Sequence, residues 1–200
     1  MPEILKEIYR EKVYNSYIKK NSVIADFGAN IGLWTYFASD YAKTLYSVEP
    51  TEAHFGCLTK MIEYNNLKNV IPLKIAISHE NGQAEFYHSE NSTMNSLMSE
   101  VNNKNEKEIV KTVTLDKFMQ ENKIEYLDFV KVDIEGAEAK VFGCNSLEKV
   151  KDKIGTIMGE FHVWSGVNPN QFSTYFKDRG FEFKWLNATE ASLFIAKKEI

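Results

Sequence analysis

Apolar residues in this chain fall into short blocks, and the spacing inside each block switches between helical and extended. Residues 3 to 19 carry Ile4, Leu5, Ile8, Val13, Tyr17 and Ile18 at loosely helical intervals, which predicts an N-terminal helix packed on a sheet or over a site. Residues 22–27 are an extended apolar block, and residues 31–41 read as the helix after it. A second strand is predicted over 44–48. A helix follows from Pro50 to Asn65, with Phe55, Leu58 and Ile62 on one face. Val70 to Ile75 is the third strand. His79-Glu-Asn-Gly82 is a turn, and Gln83 to His88 alternates like an exposed strand.

Residues 89–107 are polar and hold five asparagines between Asn91 and Asn105. They read as a flexible loop. Beyond it come a short strand, Glu108 to Leu115, and a short helix from Asp116. A buried strand, Leu127 to Val132, ends at Asp133, and a helix from Glu135 to Phe142 stops near Gly143. Ile154 to Phe161 is a strand. Asn168-Pro169 opens a helix that closes at Arg179-Gly180, with proline at the first helical position. Phe181 to Leu186 and Ser192 to Lys197 form a closing hairpin. Strands alternating with helices predict a mainly parallel sheet with right-handed crossovers, to which the hairpin adds one antiparallel strand.

The chemistry starts at Val23-Ile-Ala-Asp-Phe-Gly-Ala-Asn-Ile-Gly32. A strand ending in Asp26, a turn through Gly28 and Asn30, and a helix after Gly32 make a nucleotide-type site. A dinucleotide fingerprint has glycine at three places, so that the backbone can approach a pyrophosphate. Here Asn30 occupies the middle place. S-adenosylmethionine has no phosphate and carries an ammonium and a sulfonium, so an acid at the tip of the first strand suits it better than NAD or FAD. Asp26 would supply that acid, or else cap the following helix. Glu49, 17 residues after Gly32 and at the end of the second strand, is spaced to accept hydrogen bonds from ribose hydroxyls.

A second acidic feature is Lys131-Val-Asp-Ile-Glu-Gly-Ala-Glu138. Asp133 emerges at the carboxyl end of a buried strand, where open α/β sheets bind ligands. Ending such a strand in a charge is costly without a partner, and Lys131 is a candidate. Glu135 and Glu138 read as carboxylates in a first helical turn, where they offset free amides. Strand five ends in Glu160-Phe-His162. His162 is either the group that takes a proton from a hydroxyl or a histidine that hydrogen-bonds within the rim; the residues leave both open. Asp133, Glu135, Glu160 and His162 would suit Mg²⁺ or Mn²⁺. No dense ligand motif accompanies them, so a metal is not expected.

Composition narrows the partners. The chain has 200 residues and a net charge of −4, enough for one α/β domain and unlike a broad nucleic-acid or anionic-membrane binder. A local cluster of Lys19, Lys20, Lys149, Lys151 and Lys153 reads as a solvated face. Cys57 and Cys144 lack CxxC or Cys/His context and read as small core fillers in a reducing, cytoplasmic setting. No apolar run reaches membrane-spanning length, and the charged N-terminus lacks a signal-peptide centre. Trp164 and Trp185 read as packing residues or, alternatively, as an interface.

Taken together, these motifs resemble the FkbM-type S-adenosylmethionine-dependent methyltransferases. The matching signatures are Asp26-Phe-Gly-Ala-Asn-Ile-Gly32, Val48-Glu-Pro50, Ala76-Ile-Ser78 followed by Gly82, Val113-Thr-Leu-Asp116, and Asp128-Phe-Val-Lys-Val-Asp-Ile-Glu-Gly-Ala-Glu138. The resemblance implies a class I methyltransferase (Rossmann-like) α/β fold: one domain over 1–200, a seven-stranded sheet and helices on both faces. It implies O-methylation of sugar or natural-product hydroxyls. Asp26, Gly28, Asn30 and Gly32 would surround the methionine end, Glu49 and Pro50 the ribose, and Ala76 and Ile77 the adenine, with Asp133 also facing the cofactor. Asp133 or His162 would be the base, and the 89–107 loop, with Asn95 and Ser96, would close over a small-molecule or glycan acceptor. RNA or protein acceptors, or a non-catalytic S-adenosylmethionine-binding domain, are the alternatives. The acceptor itself and the oligomeric state cannot be read from the residues.

Overall fold

The computed structural model describes residues 13–14, 16–87, 107–186 and 191–198. The expected helix over 1–20 and the expected loop over 89–107 fall wholly or largely outside those residues. Strands β1 (Ser22–Phe27), β2 (Ala42–Val48), β3 (Val70–Leu73), β7 (Leu127–Val132), β8 (Ile154–His162), β9 (Phe181–Trp185) and β10 (Ala191–Lys198) make one sheet in the order β3-β2-β1-β7-β8-β10-β9. β10 runs antiparallel to both neighbours, and the other pairings are parallel. The expected mainly parallel seven-stranded sheet with its antiparallel hairpin is therefore present.

Strand alternation divides the core into two layers. Ala25, Phe27, Val130, Val132, Ile157 and Phe161 point to one face, where they meet Phe118, Phe142, Phe172 and Phe176. Ile24, Leu45, Phe129 and Met158 point to the other, against Trp34, Ala38, Leu58 and Ile62. The helices that cover these faces are α1 (Leu33–Ser39), α2 (Glu52–Tyr64), α3 (Leu115–Glu121), α4 (Glu138–Gly143), α5 (Asn145–Val150) and α6 (Pro169–Lys177). The Asn168 side chain accepts from the Gln171 N–H and caps α6, with Pro169 at its first position, as the sequence predicts.

Several local expectations are corrected. The third strand breaks after Leu73. Ile75 N–H bonds back to the Leu73 carbonyl, a tight turn that directs Ala76–Ile77 (β4) into a separate sheet. There β4, β6 (Lys107–Val113) and β5 (Gly82–Tyr87) pair in that order. Helix α2 begins at Glu52, not Pro50, because Glu49 binds both the N–H and the hydroxyl of Thr51 and holds it extended. The helix expected from Glu135 begins at Glu138, since Glu135 and Gly136 take φ +51° and +94° and form a turn. Cys57 is exposed and Cys144 half-buried, so neither is a core filler. Among the described residues no helix is long and apolar enough to cross a membrane.

Candidate functional site

The parallel strands present their carboxyl ends on one side, and the acidic residues gather there. At the tip of β1, Gly28 has φ +80°, and a Cβ at that position would overlap the Asp133 carbonyl oxygen. The glycine is therefore required by the close approach of two chain segments, the tips of β1 and β7. Gly32 has φ +94°, and a Cβ there would meet Leu58 and Met61 of α2. Asn30 sits at φ +51°, a region that asparagine tolerates better than most residues.

Every backbone N–H of the turn has a partner within the protein. Gly28 and Ala29 both donate to the Val48 carbonyl, at 3.0 and 2.9 Å, and Gly32 donates to the Ala29 carbonyl at 2.9 Å. Asn30 N–H donates to Glu49 Oε2 at 3.0 Å, and Ile31 N–H to the Asn30 side-chain oxygen at 2.8 Å. A phosphate-binding turn keeps such amides free for the ligand. This turn spends them on its own shape.

Glu49 is buried and fastens that turn to the start of α2. Its Oε1 accepts from Thr51 N–H at 3.1 Å and from the Thr51 hydroxyl at 2.7 Å. With Asn30, that makes three accepted bonds, and a carboxylate has about four lone-pair positions. One acceptor position remains, and His54 Nδ1 lies 3.7 Å from Oε1. Pro50 lies beside it, between the tip of β2 and the start of α2.

Asp26 does not face the crevice. It is paired in register with Lys131 on one side and Ser47 on the other. Its side chain is fully buried, with Oδ1 3.2 Å from Lys131 Nζ and Oδ2 accepting from the Thr35 hydroxyl at 2.7 Å. Burial pushes its carboxyl up, and the Lys131 ammonium offsets only part of that rise. It does not cap α1 either. Lys131 also donates to the Gly28 carbonyl at 3.0 Å and lies 3.9 Å from Asp133. The partner expected for Asp133 is thus committed mainly to Asp26.

Ala76 and Ile77 are buried, Ile77 in the main core and Ala76 against Phe86 and Val110. Their side chains are turned inward.

Asp133, Glu135 and His162 converge at the tips of β7 and β8. His162 is nearly fully buried, while Asp133 and Glu135 keep side-chain exposures of 30% and 26%. His162 Nδ1 lies 3.0 Å from Glu138 Oε1, and its Nε2 lies 3.5 Å from Glu135 Oε2. Glu138, expected only as a helix-end carboxylate, also accepts from the N–H groups of Ile134 and Gly136, both at 3.2 Å. It therefore shapes the turn that carries Glu135 and orients the imidazole as well. Burial disfavours the charged His162 ring, but the charge and hydrogen bond of Glu138, with Asp133 and Glu135, outweigh it and push the ring up to about 10. Burial, then the Asp133 charge, pushes Glu135 up to about 8. An imidazole protonated on both nitrogens has no lone pair for a substrate proton, whereas Asp133 keeps a part-exposed carboxyl group at the same strand tips. Glu160, on the same face of β8, is buried and falls outside the group of ligand atoms formed by Asp133, Glu135 and His162. The Trp164 ring lies 4.5 Å from the His162 ring. Trp185 packs against Phe161, Phe172, Phe183 and Phe194 in the core.

The chemistry of these tips is anionic. Glu49 follows β2, Asp133, Glu135 and Glu138 follow β7, and Glu160 lies near the end of β8, whereas Lys131 is engaged by Asp26 and Gly28. The lysines singled out in the sequence lie at the other end of the sheet. Lys20 bonds the Asp40 carbonyl before β1, and Lys149 and Lys151 pair with Asp116 and Glu148 before β8.

Comparison with known proteins agrees with this architecture. Residues 26–183 match the model of the methyltransferase FkbM domain. Methyltransferase sdnD of Sordaria araneosa is 26% identical over 213 residues, spanning 90% of this chain and 81% of that protein. The structure of an rRNA methylase from Streptococcus thermophilus superposes with a TM-score of 0.61 at 13% identity, covering 95% of this chain and 94% of that one. TrmK of M. capricolum, solved with its cofactor product S-adenosyl-homocysteine, gives a TM-score of 0.60 at 11% identity, covering 95% and 68%.

Proposed function

Because the chain belongs to the FkbM methyltransferase family, we propose that it uses S-adenosylmethionine to methylate a hydroxyl oxygen on a sugar, glycan or other small natural product. The observation that carries this reading is the turn over residues 28–32, whose amides are all internally bonded. Such a turn offers a pyrophosphate nothing, while the carboxylates around it suit a cation. The cofactor, when bound, supplies a methyl group already activated on a sulfonium.

This chain's own residues do the rest. Glu49 accepts from the ribose with its remaining lone pair. Gly28, Asn30 and Gly32 set the shape of the turn around the methionine end, and Pro50 lies beside the ribose acceptor. Asp26 acts from behind, through Lys131 and the Gly28 carbonyl, rather than by touching the ligand. β4 borders the adenine through its backbone, since Ala76 and Ile77 turn their side chains inward. Asp133 is the part-exposed carboxylate that accepts the hydroxyl proton, and Trp164 gives a flat face for a sugar ring. Holding the reactants in line in such a crevice is worth about 7–11 kcal/mol of the barrier.

An RNA acceptor is the second reading, favoured by the rRNA methylase with the same fold. The acidic tips oppose it, and the paired lysines lie at the far end of the sheet. Calorimetry with S-adenosylmethionine, S-adenosylhomocysteine and NAD tests the cofactor: saturable heat with the first two and none with NAD is expected, and the reverse overturns the reading. A radiolabelled methyl-transfer panel of saccharides, small hydroxyl compounds and RNA then tests the acceptor. Label on RNA alone would reject the hydroxyl-acceptor reading.

A further inference from the structure

We propose that Asp133, Glu135 and His162 form a binding site for one divalent cation of the Mn²⁺ or Mg²⁺ type, beside the place of the acceptor hydroxyl. Each contributes one ligand atom, and the three atoms lie within 4.8 Å of one another. An ion with ligand distances of about 2.0–2.2 Å separates adjacent ligands by roughly 3 Å. Modest rotation of the two part-exposed carboxylates closes that gap. The donor set is two carboxylates and one imidazole, which matches a hard or borderline ion rather than a thiophilic one.

Three features beyond proximity favour a cation. His162 Nδ1 is held at 3.0 Å by Glu138, a side chain with no exposure. This is the arrangement in which a carboxylate fixes a ligating histidine and leaves its other nitrogen directed at the metal. Nε2 faces Glu135, and the turn through Glu135 at φ +51° and Gly136 at φ +94° returns that carboxylate toward the ring. Glu138 also keeps its second oxygen, Oε2, buried without a hydrogen-bond partner. Three carboxyl groups thus surround one imidazole, and a dication that enters takes the place of the protons held on Nε2 and on Glu135. The three protein ligands leave positions open on the partly exposed side, where water or an acceptor oxygen completes the shell.

Its role rests on the methyltransferase reading above. Such a cation, held by Asp133, Glu135 and His162, would supply Lewis acidity that lowers the pKa of the acceptor hydroxyl, whose proton would pass to water. Asp133 then serves as a ligand. Without the cation it takes the proton itself.

The test is Mn²⁺ titration of the chelator-stripped full chain, followed by electron paramagnetic resonance and by the thermal midpoint. Wild type should bind one Mn²⁺ saturably and melt at a higher temperature when loaded. Glu135→Gln and His162→Gln should each weaken binding at least about ten-fold, and Glu138→Gln by roughly 10–100-fold through loss of ring orientation. Asp152→Asn, at the opposite end of the sheet, should leave Mn²⁺ affinity unchanged. Should His162→Gln fail to fold, Glu135→Gln on the half-exposed turn carries the same comparison. No saturable binding by wild type up to millimolar Mn²⁺, or equal affinity in the Glu135 and His162 variants, overturns the proposal. S-adenosylhomocysteine calorimetry in the presence of chelator is a separate readout: its heat should persist, and its loss would strike the cofactor reading and not the metal site.

Discussion

Lys131 Nζ lies 3.2 Å from Asp26 Oδ1, and neither side chain is more than 8% exposed. Register places the two residues side by side on adjacent central strands, so a single buried ion pair joins β1 to β7 directly beneath the site. Removing one partner of such a pair strands the other. Lys131→Met should cost about 3–5 kcal/mol in urea unfolding. Adding Asp26→Asn to it should recover part of that loss, because the neutral amide still accepts from Thr35. A double variant no more stable than Lys131→Met would show that the charge on Asp26 is not what the lysine compensates.

Gly28→Ala should be among the most damaging small substitutions. The new methyl group would overlap the Asp133 carbonyl at a backbone φ of +80°, and strained residues of this kind cost about 1–3 kcal/mol before the overlap is counted. Gly56→Ala is the contrasting case. Gly56 lies inside α2 with nothing within 4 Å of an added Cβ, so the change should stabilise by about 0.5–1 kcal/mol through helix propensity. Chemical denaturation of both variants checks the pair.

Glu49→Gln should lower affinity for S-adenosylhomocysteine about ten-fold or more by calorimetry, since losing one charge-assisted bond of about 1.5–3 kcal/mol exceeds the 1.4 kcal/mol that corresponds to a factor of ten. The substituted amide also turns donors toward Asn30 N–H or Thr51 N–H, which already donate. Thermal stability should therefore fall together with affinity.

Acid titration should reveal Asp116. Partial burial works against its charge, yet bonds from Lys149 and Ser146, at 2.8 and 2.7 Å, hold its carboxyl far below the ordinary 3.8. A group depressed in the folded state stabilises above its unfolded value and loses that contribution as the pH falls toward the folded one. Asp116→Asn should therefore cost about 1–2 kcal/mol at pH 7, allowing for screening at a site 23% exposed. The gap from wild type should close below about pH 4.

Buried apolar runs alternating with helical stretches make the sheet legible, while the division into layers, with Ile24, Phe129 and Met158 in one and Phe27, Val132 and Phe161 in the other, comes from the pleat of strands buried on both faces. The N-cap at Asn168 and the β9–β10 hairpin were local signals, and they survived. The break between Leu73 and Ala76 was not legible. One apolar run served two sheets, and only a tertiary turn separates them. In the site, Glu49 and Asp133 emerge at strand tips as the spacing requires. The buried pairing of Asp26 is not legible in the sequence, because its partner Lys131 comes from a strand about a hundred residues away. The residues name Lys131 only as a candidate partner for Asp133 and leave its direction open. Glu138 escaped for a similar reason, since one carboxylate both ends a turn and holds a histidine on the next strand. The exposure of Cys57 depended on which face of α2 meets the sheet.

The crowd of carboxylates at the strand ends bears on turnover as well as capture. Donor and spent product differ by the sulfonium charge, which disappears when the methyl leaves. An anionic crevice therefore loosens its grip on the nucleoside at the moment the work is done, so inhibition by accumulated S-adenosylhomocysteine should be mild, and the preference for donor over product should shrink as ionic strength rises.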